Sequence, residues 1–238
     1  IEMIGYEGLE AEMECIATIK EVNDTQLNGR LQLEIGDARF SRAITDTLGL
    51  TEVERDTLLD ALFTKFLPRY NELIGDYKNS ALYPFLLVWP RLFGTVQDIQ
   101  DALQAVILPA PAQRVLDNLL DVAAQIEATG QTVRIDISSE PPQSYYTGLT
   151  FRGYVDGVSS YIVSGGRYDN LLSNFDGVPM PAVGMAFNMD VLTDVTMNGE
   201  STPQGVDVLR IALTKGRVEK DFIPLLEACG IDCEPLRN

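Results

Sequence analysis

Ser144-Tyr145-Tyr146-Thr147-Gly148-Leu149-Thr150-Phe151 is followed, after a short interval, by Gly165-Gly166-Arg167-Tyr168-Asp169. Around these stretches the hydrophobic period is two. Val133, Ile135 and Ile137 alternate with Arg134 and Asp136, and Leu149, Phe151, Gly153 and Val155 alternate beyond the tyrosine pair. Ser160 to Val163 reads as a further strand, and Ala182 to Phe187 as another, ahead of a helix from Met189 to Val195. Strands joined by short turns and flanked by helices predict an α+β domain on an antiparallel sheet. Two aromatic-plus-glycine signatures so close together describe a small-molecule pocket, because a Gly-Gly turn lets backbone approach a ligand. Taken alone, the tyrosines have a simpler explanation: strand-end tyrosines commonly pack the ring in the core and hydrogen-bond the hydroxyl.

Upstream the period is helical. From Glu7 to about Val22, Leu9, Met13, Ile16, Ala17 and Ile19 share a stripe. Leu31, Leu33 and Ile35 then alternate with Gln32 and Glu34 in a half-buried strand that ends at Gly36-Asp37. A helical block follows, expected over about residues 46–130 as an insertion between early and late strands. Thr51-Glu52-Val53-Glu54 places a hydroxyl and a carboxylate three residues apart, a capping pair, and Leu58, Leu59, Leu62, Phe63 and Phe66 form the stripe behind it. A second helix starts at Thr95 to Asp98 and carries Ile99, Leu103 and Val106. A third starts near Pro111 and stops at Gly130. These stripes read as core.

Composition narrows the function classes. The 238 residues are 45% hydrophobic and carry a net charge of −17, so the surface on average repels a phosphate backbone, and no tRNA binding is expected. No stretch of about 18 apolar residues is present to span a bilayer, and the N-terminus lacks a secretion signal. The chain starts at Ile1 rather than Met and is expected to begin inside a longer protein. Histidine is absent, which removes Ser-His-Asp triads and most catalytic zinc sites. The three cysteines, Cys15, Cys229 and Cys233, make neither a disulfide framework nor four zinc ligands, so the expected setting is a reducing cytoplasm with no metal and no cofactor.

The motifs resemble the histidine-recognition segments of histidyl-tRNA synthetases and of their catalytically silent paralogue, the regulatory subunit of ATP phosphoribosyltransferase. Three separated segments carry the likeness: Ile1-Glu2-Met3-Ile4-Gly5, the Tyr145-Tyr146 stretch, and Gly165-Gly166-Arg167-Tyr168. The resemblance implies a class II aminoacyl-tRNA synthetase-like fold over about residues 1–197. In it Glu2 would hold the α-ammonium of bound histidine, Tyr145 and Tyr146 would line the pocket around the imidazole, and Gly165, Gly166 and Tyr168 would form another wall. On its own Glu2 reads as a terminal surface carboxylate.

Two departures from the synthetases favour the regulatory paralogue. The Arg-Gly-Leu-Asp that precedes the tyrosines in the synthetases is Pro141-Pro142-Gln143-Ser144 here, and their Glu-Arg at the last helix start has Val191 at the arginine position. Two cationic contacts to adenylate chemistry are thereby missing, so no catalytic residue is assigned.

Residues 198–207 are rich in turn formers and read as a linker. Val208 to Leu213 reads as a strand, Thr214-Lys215-Gly216-Arg217 as a basic turn and Val218 to Cys229 as a helix. This βα fragment, residues 208–238, resembles the start of the short-form catalytic subunit of ATP phosphoribosyltransferase, in which Lys215, Gly216 and Arg217 would face phosphorylated substrates. Standing alone, it is an ordinary βα turn.

The resemblance therefore implies a regulatory subunit that is no enzyme on its own. It would bind L-histidine as an allosteric effector and act in a hetero-oligomer with the catalytic subunit, in the first step of histidine biosynthesis. Two alternatives stay open: a divergent histidyl-tRNA synthetase core, and a histidine-sensing domain attached to another effector.

Overall fold

The structure is a computed structural model that describes residues 1–173, 177 and 180–197. In chain order its elements are β1 (Glu2–Ile4), α1 (Glu10–Gln26), β2 (Leu31–Asp37), α2 (Ala38–Thr45), α3 (Glu52–Phe63), α4 (Leu67–Ile74), α5 (Tyr83–Val88), β3 (Phe93–Gly94), α6 (Val96–Leu103), α7 (Ala110–Ala128), β4 (Val133–Asp136), β5 (Leu149–Val155), β6 (Val163–Arg167), β7 (Ala182–Phe187) and α8 (Met189–Met197). All belong to the unit Ile1–Gly199. The linker at 198–207, the βα fragment with Lys215, Gly216 and Arg217, and Cys229 and Cys233 lie outside the described residues.

The strands form one sheet in the order β1-β7-β6-β5-β2-β4-β3. Five of its six pairings are antiparallel, while β2 and β4 run parallel, so the expected antiparallel sheet is in fact mixed. A parallel pair cannot be joined by a hairpin and needs a long crossover. That crossover is the helical segment, which opens at Ala38 with α2, whose Asp37 cap accepts from the Arg39 amide.

Local chemistry sets the helix ends. Thr51 and Glu54 close a reciprocal capping box at α3, and Thr95 and Asp98 close another at α6. Gly130 stops α7 with φ +84°, a conformation costly for any residue with a Cβ. Pro68 sits in the first turn of α4, where its missing N–H costs nothing. Phe66 is exposed rather than core, because the chain turns between α3 and α4 through Lys65 at φ +56°. Helix α6 ends at Leu103, short of Val106. The first helix runs Glu10–Gln26, later than its stripe suggested.

The β2 alternation holds: Leu31, Leu33 and Ile35 are fully buried. They face α7, and α1 covers β6 and β7 on the same side. Inside the helical segment the rings of Phe40, Phe85 and Trp89 pack at centroid distances of 5.2 to 6.3 Å. The Trp89 indole N–H donates to the Ile137 carbonyl at 2.7 Å and ties this cluster to the end of β4.

The strand expected at Ser160 to Val163 begins instead at Val163 and continues through Arg167. Gly165 and Gly166 are thus buried inside β6, not at a turn. A Cβ on Gly165 would overlap the Gly184 carbonyl oxygen and stand 2.5 Å from the Phe151 ring, in a core with no slack. Gly165→Ala should therefore lower the unfolding free energy by about 1–3 kcal/mol. Gly75, with φ −57° and nothing near its would-be Cβ, should behave oppositely, with Gly75→Ala raising it by about 0.4–1 kcal/mol. Urea denaturation of both variants checks the pair.

Candidate functional site

Residues directly opposite one another on neighbouring strands share a face of the sheet. Glu2 pairs with Gly184, Gly184 with Gly166, Gly166 with Thr150, and Thr150 with Gly36. These five residues make one row across the face opposite Leu33, Phe151 and Gly165. Three of the five are glycine, so the row is a floor almost without side chains. From Glu2 on β1 to Gly166 on β6 is two strand spacings, ~10 Å, about the length of an amino acid.

Side chains from three segments stand over this end of the floor. A Cβ on Gly184 would fall on the Glu2 carboxylate, and one on Gly166 would meet the Tyr146 ring at 3.0 Å. Tyr145 and Tyr146 pack edge to face at 5.0 Å, Tyr145 and Tyr168 at 5.7 Å, and Tyr146 and Tyr168 stand 6.4 Å apart. The Tyr168 hydroxyl donates to the Glu2 carboxylate. The structure thus brings Glu2, Tyr145, Tyr146, Gly166 and Tyr168 together. Gly165 alone among the six expected residues faces the core.

The electrostatics follow from burial. The Tyr168 hydroxyl is pushed well above its ordinary value, first by desolvation and then by its bond to charged Glu2. Tyr146 is raised too, by burial and then by Tyr145. Both phenols stay protonated donors beside a carboxylate acceptor, which suits a ligand carrying a cationic or N–H group and an aromatic ring. Tyr145 is 39% exposed and is the most exposed of the three.

Three participants were not picked out from the sequence. The Thr147 amide donates to the Arg167 carbonyl at 2.7 Å, and the Thr147 hydroxyl accepts from the Asp169 amide at 2.9 Å. These bonds lock the tyrosine loop to the end of β6. Arg167, buried on the helix-covered side, is the third. Its signal was a charged residue in an otherwise apolar alternation.

Farther along the same face, a shallow recess is lined by Glu34, Asp136, Thr150, Arg152 and the Pro141-Pro142 loop, among others. Burial and the Asp136 charge raise Glu34. Arg152 is committed to Glu34 at 3.6 Å and to the Glu140 carbonyl at 2.9 Å. Among the described residues no group of three His, Cys, Asp or Glu side chains could hold a metal ion, and no helix is long and apolar enough to cross a membrane.

A mixed sheet flanked by helices, with a polar cluster built over a glycine floor, defines a class II aminoacyl-tRNA synthetase-like protein. The family model described as histidyl-tRNA synthetase matches residues 1–192, and the chain belongs to that family. An ATP phosphoribosyltransferase regulatory subunit of Lactiplantibacillus plantarum is 41% identical over 203 residues, which cover 84% of this chain and 53% of that protein. A regulatory subunit of Limosilactobacillus fermentum is 36% identical over 196 residues, 82% of this chain and 51% of its own. The crystal structure of an ATP phosphoribosyltransferase regulatory subunit/histidyl-tRNA synthetase from Bacillus halodurans aligns with a TM-score of 0.67 at 26% identity, covering 82% of this chain and 52% of that one. The chain spans about half the length of the curated relatives it matches.

The raised phenols give a pH dependence with a definite sign. A hydroxyl whose folded pKa lies above its unfolded value of 10.0 holds its proton longer when folded. Its contribution is therefore complete below pH 10 and is lost as the pH rises through the folded value. Absorbance titration at alkaline pH should show a late-ionising tyrosine component that Tyr168→Phe reduces.

Proposed function

We propose that this chain is the histidine-binding part of a regulatory subunit of ATP phosphoribosyltransferase. The observation that carries the reading is the meeting of Glu2, Tyr145, Tyr146 and Tyr168 over Gly166 and Gly184. The names of the relatives at 36–41% identity support it. Glu2 supplies the carboxylate that the α-ammonium of a zwitterion or a ring N–H needs, and the tyrosines supply aromatic packing and phenolic hydrogen bonds for an imidazole.

The rings lie too close together to admit another ring between them. A histidine ring that enters between them would part Tyr145 from its neighbours, and such binding would carry a conformational change with it. That change is the means by which an effector with different affinity for two states can shift an assembly. The catalytic step, condensation of ATP with phosphoribosyl pyrophosphate, belongs to a separate catalytic subunit in a cytoplasmic hetero-oligomer. Pro141 and Val191 support a non-catalytic role, since neither can stabilise charge on a transferring acyl or phosphoryl group. Residues 198–207 would be the linker to a catalytic-subunit start, with Lys215, Gly216 and Arg217 at its phosphate-facing turn.

The match to the histidyl-tRNA synthetase model favours a second reading, a divergent synthetase core. Calorimetric titration with L-histidine tests the pocket, and histidylation of tRNA by the full-length parent separates the two readings. Saturable binding is expected, weakened about ten-fold or more by Glu2→Ala and by Tyr145→Ala, the scale of one lost charged hydrogen bond. Absence of binding by the folded chain would overturn the reading.

A further inference from the structure

Arg167 lies in the middle of the Gly165-Gly166-Arg167-Tyr168-Asp169 motif but does not face the pocket. Alternation along β6 puts Gly166 on the tyrosine side and Arg167 on the helix-covered side, where the residue is 7% exposed. Glu12 of α1, itself 4% exposed, meets it with both oxygens, at 2.6 Å from Nε and 2.6 Å from Nη2. The remaining donors reach three further places. Nη2 donates to the Gly8 carbonyl at 2.9 Å, and Nη1 donates to the Tyr6 carbonyl at 3.2 Å and to Asp169 at 3.1 Å.

Each of these partners leads to a different wall of the site. Tyr6 and Gly8 belong to the segment that follows β1 and hence set where Glu2 stands. Asp169 also accepts from the Ala182 amide at the start of β7 at 3.3 Å, and Ala182 opens the strand whose Gly184 underlies Glu2. The Arg167 carbonyl receives the Thr147 amide and so holds the loop bearing Tyr145 and Tyr146. Tyr168 is its neighbour in sequence. A lysine in its place could neutralise Glu12 but could not present five directed donors.

We propose that Arg167, held by Glu12, is a positioning residue that sets the separation between Glu2 and the three tyrosines and thereby the affinity of the site for its amino-acid ligand. This rests on the histidine reading of the pocket for the identity of the ligand, though not for the geometry.

A buried ion pair invites a rival explanation, that the two charges only hold the fold together. Removing one partner strands the other, whereas replacing both with uncharged side chains of similar volume is often neutral. The decisive variant is therefore Glu12→Gln with Arg167→Met in the full chain, alongside Arg167→Lys. Three quantities are measured on each: the melting temperature, the near-ultraviolet circular dichroism of the unliganded tyrosines, and the affinity for L-histidine. A positioning role predicts that a variant with wild-type melting binds histidine about ten-fold more weakly, the loss expected when a charged hydrogen bond is misplaced. It also predicts a tyrosine spectrum changed in the same sense as in Tyr168→Phe. Wild-type affinity and spectrum in a variant with wild-type melting would overturn it. If both variants melt early, Asp169→Asn, which leaves the Glu12 pair intact and weakens the Nη1 arm together with the Asp169–Ala182 bond, is read by the same three quantities and the same criterion. Should the wild-type chain bind no histidine, the ligand reading fails by itself, and the unliganded spectrum still decides whether Arg167 orders the tyrosines.

Discussion

The cross-strand register of Glu2, Gly184, Gly166, Thr150 and Gly36 is the constraint on which the rest of this site depends. Antiparallel pairing brings these residues, far apart in the chain, into one line, and the missing side chains turn that line into a floor. Slipping the β5 strand by a single residue would move a side chain of the core face into the row and send Thr150 inward. Phe151 would then stand where Thr150 is. The hydrophobic alternation of β2 and β5 resists such a slip, since burial of Leu33, Ile35 and Phe151 holds the register that also lines up the glycine floor. Core packing and site geometry are thus specified by the same pairing.

The two faces of β6 divide the work. On one, glycine lets Tyr146 lie on the backbone. On the other, Arg167 gathers carbonyls and carboxylates from α1, the segment after β1, and the start of the segment leading to β7. A guanidinium so deeply placed is costly to desolvate, and the bidentate Glu12 pair together with satisfied donors offsets that cost. Such a pair adds little net stability over an apolar substitute. What it adds is direction, because five planar donors admit few arrangements of their partners.

The helical segment serves the sheet in a different way. Because β2 and β4 run parallel, the chain must travel the length of the sheet and return, and it uses α2 to α7 to do so. The Phe40, Phe85 and Trp89 cluster gives this excursion its own core, and the indole bond to Ile137 fastens it to the sheet.

Much of this was legible in the residues alone. Thr51 with Glu54 and Thr95 with Asp98 announce helix starts, and Gly130 announces a stop, because capping and left-handed backbone are local chemistry. Leu31, Leu33 and Ile35 announce a half-buried strand for the same reason. The tyrosine and glycine motifs held four residues that the fold gathers in one place, Tyr145, Tyr146, Gly166 and Tyr168. The parallel pairing of β2 with β4 was not legible, since strand direction depends on partners about a hundred residues away. Nor was the place of Gly165 and Gly166 inside β6, as a glycine pair reads equally as a turn or as a strand that must be approached closely. Arg167 shows the limit most clearly. Its charge is written in the sequence, but only packing decides that it points away from the tyrosines and binds Glu12, because a side chain's partners are set by which elements the fold brings within reach.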